Sequence, residues 1–378
     1  MTNSPLNSTL RDTDRMSEQK TYEFRSDTMT KPSLRMREAM ANAEVGDDMS
    51  AEDPTVNHLE AMAAELFGKE AAVYACSGTQ SNQMGVRTHC QPGDELLIHE
   101  SGHIGNFEAG APAVLSGVTC RLLPGEQGKL DVDVLKGKIR ADNQHLCRTR
   151  LVCIENTTNS GGGRAYSLQR AKRVGRWARE NDLKIHCDGA RLFNAVVAKG
   201  YSAREFATHV DTISICFSKG LGCPMGSILV GSKDEIASAR RSRKLFGGAL
   251  RQAGIVAASA VYALENNIER LADDHANARL FAASIADIDG ISIDTNAVET
   301  NLVFFDVEPE LGNASQLSAL LREHGVRINA AGSQRLRACT HLDVDADDVN
   351  AAADIVRKCV ALGFKKMPGT ATGPYARG

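Results

Sequence analysis

Short apolar runs alternate with longer amphipathic ones over the first two thirds of the chain. Ala71–Ala75, Glu95–His99, Val118–Leu123 and Leu151–Glu155 are compact apolar runs, the pattern of buried strands. Between them, apolar residues recur at helical spacing: Val56, Leu59, Met62, Ala63, Leu66 and Phe67 fall in Pro54–Gly68, with Gly68 as a stop. Leu168–Asn181 reads as a second helix, and another starts at Ser77-Gly78-Thr79-Gln80-Ser81-Asn82. Two further runs, Leu183–Arg191 and Asp211–Gly220, are apolar until a Gly opens them into loops. Such alternation predicts an α/β architecture with a mostly parallel sheet covered on both faces. From about Asn266 the pattern changes to helices separated by short strands at Ile291–Asp294, Asn301–Asp306 and Val326–Asn329, which predicts a smaller α+β domain. The chain is thus read as a flexible tail (1–20), a large domain (21–265), a small C-terminal domain (266–364) and a Gly/Pro-containing tail (365–378).

Composition narrows the class. Hydrophobic residues make up 42% of the 378 and charged residues 24%, as in ordinary globular proteins. A formal net charge of −3 supplies no field for nucleic acid or an anionic membrane. The longest low-polarity run, Ala253–Leu264, is too short to span a bilayer, and the first twenty residues lack the apolar segment of a signal peptide. The ten cysteines include no Cys-x-x-Cys pair, so no zinc site, other metal site or disulfide framework is signalled. Cys153, Cys187 and Cys216 lie in strand runs and read as buried thiols, which suits a reducing, cytoplasmic compartment. No internal repeat is present.

Candidate chemistry sits where two strands end. Asp188 closes one run and Lys219 follows the other, and ligands of open α/β sheets bind outside the carboxyl ends of strands. An acid and an amine in that crevice suit pyridoxal 5′-phosphate (PLP): the lysine holds it as a Schiff base and the acid keeps the pyridine nitrogen protonated. Taken singly, each has a plainer reading, a solvated lysine at a loop mouth and an Asp-Gly turn. Ser77-Gly78-Thr79, between a strand and a helix, offers a place for the cofactor phosphate, although a simple Ser/Thr helix cap fits the same residues. Gly220-Leu221-Gly222 and Gly161-Gly162-Gly163 are weaker phosphate signals. Neither has the dinucleotide spacing, which weighs against a nicotinamide-dependent dehydrogenase.

These residues stand among a series of short motifs. They run from Arg25-Ser26-Asp27-Thr28-Met29-Thr30 and Val45-Gly46-Asp47-Asp48 through Glu52-Asp53-Pro54-Thr55-Val56 and Glu108-Ala109-Gly110. Asp188-Gly189-Ala190-Arg191-Leu192-Phe193-Asn194, Ser218-Lys219-Gly220-Leu221-Gly222 and Thr340-His341-Leu342-Asp343-Val344 follow. With them the chain, from about Phe24 to Val349, resembles the low-specificity L-threonine aldolases, which are fold type I (aspartate-aminotransferase-like) PLP enzymes.

The resemblance implies a seven-stranded, mostly parallel sheet in the large domain and assigns roles. Lys219 matches the Schiff-base lysine, Asp188 the partner of the pyridine nitrogen, and Ser77, Gly78 and Thr79 the phosphate-binding turn. His103 matches the histidine stacked on the cofactor ring, and His145 a second histidine near the substrate hydroxyl; either is a candidate base. Arg191, Arg337 and Ser26 match groups that hold the substrate carboxylate, and Arg251 a residue reaching the phosphate of a neighbouring subunit. The implied reaction is retro-aldol cleavage of L-threonine, L-allo-threonine and related β-hydroxy-α-amino acids to glycine and an aldehyde. The implied assembly is a homodimer or homotetramer with shared active sites. Two positions depart from the family pattern: Ser50-Ala51 stands where an aromatic residue is common, and Thr158 where a histidine is usual. The alternatives are another PLP-dependent β-eliminating lyase on the same fold, or a PLP carrier without turnover.

Overall fold

A computed structural model of the chain describes residues 20–369. At its centre lie seven strands: β1 (Ala71–Ala75), β2 (Asp94–His99), β3 (Thr119–Leu123), β4 (Arg148–Glu155), β5 (Lys184–Asp188), β6 (Thr212–Cys216) and β7 (Ser227–Gly231). Their spatial order is β1-β7-β6-β5-β4-β2-β3. β7 runs antiparallel to β1 and β6, and all other pairs are parallel. The expected sheet is therefore present, with β7 as the strand that the hydrophobic pattern had not singled out. Residues of alternate parity bury opposite faces: Leu97, Val152, Ile154, Ile185, Cys187, Ile213 and Ile215 on one, Leu96, Ile98, Leu151 and Cys153 on the other. The helix Pro54–Phe67 starts on the Asp53 side chain, which accepts from Val56 N at 3.0 Å, and stops on Gly68 at φ +59°.

A second core is built on four antiparallel strands in the order Asn329–Ala330, Arg335–Cys339, Leu302–Val307 and Ile291–Ser292. The helices Leu271–Ile285, Ala314–Glu323 and Ala346–Leu362 pack on it. The chain's first strand belongs here too. Tyr22–Glu23 pairs with Val326–Arg327, and Phe24 stacks on Phe281 with ring centroids 5.3 Å apart, so residues 22–24 lie with the second core although the pattern began the large domain at 21. Lys20 is ion-paired with Asp348, and Gln316 Nε2 holds the carbonyls of Lys365 and Met367 at 2.8 and 3.2 Å. The rest of both expected tails, residues 1–19 and 370–378, lies outside the described residues. No helix among the described residues is long and apolar enough to cross a membrane.

Candidate active site

Because β1, β2, β4, β5 and β6 run parallel, their carboxyl ends deliver side chains to one edge of the sheet. β1 leads into the helix Gly78–His89, where Ser77 Oγ accepts from Gln80 N at 3.2 Å and the N–H groups of the first turn point outward. β4 ends on Glu155 and β5 on Asp188, and these two carboxylates are register neighbours. Beyond β6 stands half-buried Lys219, whose carbonyl accepts from Gly222 N at 2.8 Å and whose side-chain amine has no hydrogen-bond or ion-pair partner among the described residues. His103 opens a short helical turn after β2.

Around Asp188 the polar groups are tightly held. Asp188 Oδ2 accepts from Asn82 Nδ2 at 3.0 Å and Oδ1 from Ala190 N at 3.1 Å. Glu108 Oε1 accepts from Asn82 Nδ2 at 2.8 Å and pairs with His103 Nδ1 at 2.9 Å, while Oε2 accepts from Gln83 Nε2 at 2.6 Å. Single atoms of His103, Glu108 and Asp188 all lie within 4.8 Å of one another. Glu155 accepts from His103 N at 2.9 Å and from Asn159 N at 2.7 Å. Burial pushes the His103 pKa down, but the bond to Glu108 and the charges of Asp188, Glu155 and Glu108 outweigh it, leaving it raised. The Glu155 pKa is raised as well, first by burial and then by the Asp188 charge.

A cationic pocket adjoins this cluster. Arg191, 4% exposed, forks onto Asp27 through Nε at 2.6 Å and Nη2 at 2.7 Å. Arg337, 3% exposed, donates to Asn159 Oδ1 at 3.1 Å, and Arg191 Nη1 reaches the same oxygen at 3.3 Å. Burial alone would raise the Asp27 pKa, but Arg191, Lys219 and Arg337 hold it far below the usual carboxylate range. Ser26 Oγ accepts from Thr28 N at 3.2 Å and Thr28 Oγ1 at 2.9 Å, capping the turn that presents Asp27.

Residues 23–308 match the beta-eliminating lyase family. The chain is 42% identical over 328 residues to the low specificity L-threonine aldolase of Escherichia coli (strain K12), covering 86% of this chain and 96% of that one. The chain belongs to the beta-eliminating lyase family. Within it, similarity extends to low-specificity L-threonine aldolase 1 of Arabidopsis thaliana, 38% identical over 336 residues, 88% of this chain and 94% of the relative. The threonine aldolase structure from Leishmania major superposes with a TM-score of 0.78 at 20% identity, covering 90% of this chain and 99% of that one, which shows the shared fold. As a member of this family the chain is a lyase, of fold type I.

Beta-eliminating lyases of this group are PLP-dependent, and the residues present fit that group: an acid with both oxygens already oriented, an amine without a partner, and outward N–H groups at a helix start. The structure brings Lys219, Asp188, His103, Arg191, Arg337, Ser26 and the Ser77–Thr79 turn to one edge. It does not bring His145 there. That residue is exposed and precedes the amino end of β4, so the whole strand, roughly 25 Å long, lies between it and Glu155. Nor does Arg251 reach the site within the chain. It is exposed and paired with Asp47 at 3.0 Å, beside the turn Asp48–Ser50 that carries the Ser50 departure. Thr158 is buried in a loop, its hydroxyl donating to Gln127 O at 3.0 Å and accepting from Arg164 N at 3.2 Å. Asn82, Gln83, Glu108, Asn159, Glu155 and Asp27 also line this edge, although no role could be read for them from the sequence. One signal was available: Gln80-Ser81-Asn82-Gln83 places four polar residues on one full helical turn, and all four are buried.

Proposed function

We propose that the protein cleaves L-threonine, L-allo-threonine and related β-hydroxy-α-amino acids to glycine and an aldehyde, using PLP bound at Lys219. The juxtaposition that carries the reading is Asp188 and Lys219 at adjacent strand ends beside the Arg191–Arg337 pocket. PLP, when bound, supplies the electron sink that accepts the electron pair of the broken Cα–Cβ bond. Every other role falls to the chain. Lys219 holds the cofactor, Asp188 faces its ring nitrogen, and the Ser77–Thr79 turn takes its phosphate. Arg191 and Arg337, already oriented by Asp27 and Asn159, take the substrate carboxylate as guanidinium forks, assisted by Ser26. That grip orients the substrate, and orientation supplies several kcal/mol of a barrier.

His103 is the base in this reading. Glu108 holds Nδ1 and so sets the ring's orientation, and the substrate's hydroxyl proton goes to Nε2, directly or through one water. His145 and Arg251 act only if a neighbouring subunit places them at this edge. Homo-oligomerisation is part of the proposal, because large apolar residues are exposed near Arg251: Met49 beside its partner Asp47, and Leu245 and Ile255 along the chain. A reducing, cytoplasmic location suits ten cysteines that are all free.

The test is an absorption spectrum of the PLP-loaded protein with L-threonine and L-allo-threonine, acetaldehyde and glycine being assayed together. Expected are a visible band that the Lys219→Ala variant lacks, and stoichiometric acetaldehyde and glycine. A keto acid and ammonia in their place would move the function to β-elimination. Light scattering at twice or four times the chain mass checks the assembly.

A further inference from the structure

Behind Asp188 and Glu108 runs a line of buried polar groups with no part in the chemistry above. Asn82 spends both Nδ2 hydrogens on the two carboxylates, and its Oδ1 accepts from Ser214 Oγ at 2.6 Å and meets His186 Nε2 at 3.2 Å. His186 Nδ1 meets Thr212 Oγ1 at 2.9 Å, and the same hydroxyl meets His89 Nε2 at 2.9 Å. Asn82, His186, Thr212 and Ser214 are each at most 2% exposed. The ring of His186 fits against the helix Gly78–His89 because residue 85 is glycine: a Cβ there would lie 2.5 Å from both Cε1 and Nδ1.

The direction of every bond in this line is forced from the site outward. Carboxylates only accept, so the Asn82 amide nitrogen must face them and its oxygen must face β5 and β6. His186 Nε2 must then carry a hydrogen. Burial keeps this imidazole neutral, with its pKa pushed down to about 3, so Nδ1 carries none and accepts from Thr212. The Thr212 oxygen in turn accepts from His89. The Ser214 hydroxyl cannot make this choice alone, since it donates or accepts equally well.

We propose that His186, backed by Thr212 and His89, is a positioning residue for the cofactor. It locks the Asn82 amide with nitrogen toward Asp188, and so holds that carboxylate in place for the pyridine nitrogen. An amide without this donor is held on its oxygen side by Ser214 alone, and its grip on the two carboxylates loosens. The proposal rests on the PLP reading of the site.

Its test uses holoenzyme loaded with PLP carrying 15N in the ring, comparing wild type with His186→Leu, His186→Gln and Thr212→Val. His186→Leu and Thr212→Val are expected to keep the visible band of lysine-bound cofactor. Their ring-nitrogen resonance should move toward the unprotonated position, and their PLP dissociation constant should rise roughly five- to tenfold, as for one lost hydrogen bond. His186→Gln, which still offers a donor to Asn82, should lie near wild type. An unmoved resonance and unchanged affinity in His186→Leu and Thr212→Val would overturn the proposal. Circular dichroism checks folding; should His186→Leu not fold, Thr212→Val, which removes a hydroxyl at constant shape, decides by the same two readouts. A wild type without the lysine-bound band overturns the cofactor reading itself, a result distinct from any difference among variants.

Discussion

Glu108 sets the working range of His103, the base of the proposed reaction. Its Oε1 pairs with His103 Nδ1, and that bond, with the carboxylates around it, overcomes burial to raise the His103 pKa. A base must be unprotonated to work, so a raised pKa places the acid limb of the pH–rate profile above the ordinary imidazole value near 6.5. Glu108→Gln removes the charge and should shift that limb to lower pH, read as kcat/KM between pH 5.5 and 9. A limb that stays in place would mean that His103 is not the titrating base. At this scale the sequence was legible where chemistry coincides with a strand end: Asp188 and Lys219 each follow a buried run. It was silent on Asp27, whose partner Arg191 is 164 residues away, because no local period records a contact of that span. His145 carried a family motif but no local constraint, and it lies at the opposite edge of the sheet.

Elements follow the same division. Strands with continuous apolar runs stand where the pattern put them, β1 residue for residue, because both faces of the sheet are covered and nothing else tolerates such a run. Arg335–Cys339 escaped notice because Arg-Leu-Arg-Ala-Cys reads as a polar stretch, yet it is the strand that carries Arg337 into the site. Gly175 is a second case of local pattern misleading. In the middle of the helix Leu168–Glu180 it is a poor helix former, and replacing such a glycine by alanine ordinarily gains about 1 kcal/mol. Here the new Cβ would sit 2.4 Å from the carbonyl oxygen of His209, so the helix would have to move off that segment. Gly175→Ala is expected to lose about 1–3 kcal/mol, measured by urea denaturation, and a gain would show that the packing gives way easily.

Over the whole molecule, several buried histidines make stability depend on pH. Burial lowers the pKa of His186 to about 3, that of His275 to about 4, and that of His89 as well. In each case the folded value lies below the unfolded one near 6.5, so the contribution is intact above pH 6.5 and drains away as the pH falls toward the folded value. At pH 5 the loss reaches about 2 kcal/mol for each of His186 and His275, whereas His103 and the buried carboxyls of Asp274 and Glu155, with raised pKa values, work in the opposite sense. The unfolding temperature should therefore drop between pH 7.5 and pH 5, and a flat profile would contradict the neutral, enclosed state of these rings. The second core gathers residues from beyond the change of rhythm near residue 266 together with residues 22–24, whose return one short strand leaves no periodic trace to announce.

That return has a consequence for how the protein is made. Arg337, which bonds to the carbonyl of Arg25, is synthesised 312 residues after it. At 5–20 residues per second the wait is roughly 15–60 s, long enough for the seven-stranded sheet to assemble around it. Late in that interval a nascent chain already has Lys219, Asp188 and Arg191 but still lacks Arg337. The pocket assigned above to the substrate carboxylate is thus completed in one step, when Arg335–Cys339 joins the fold, rather than growing as the chain lengthens.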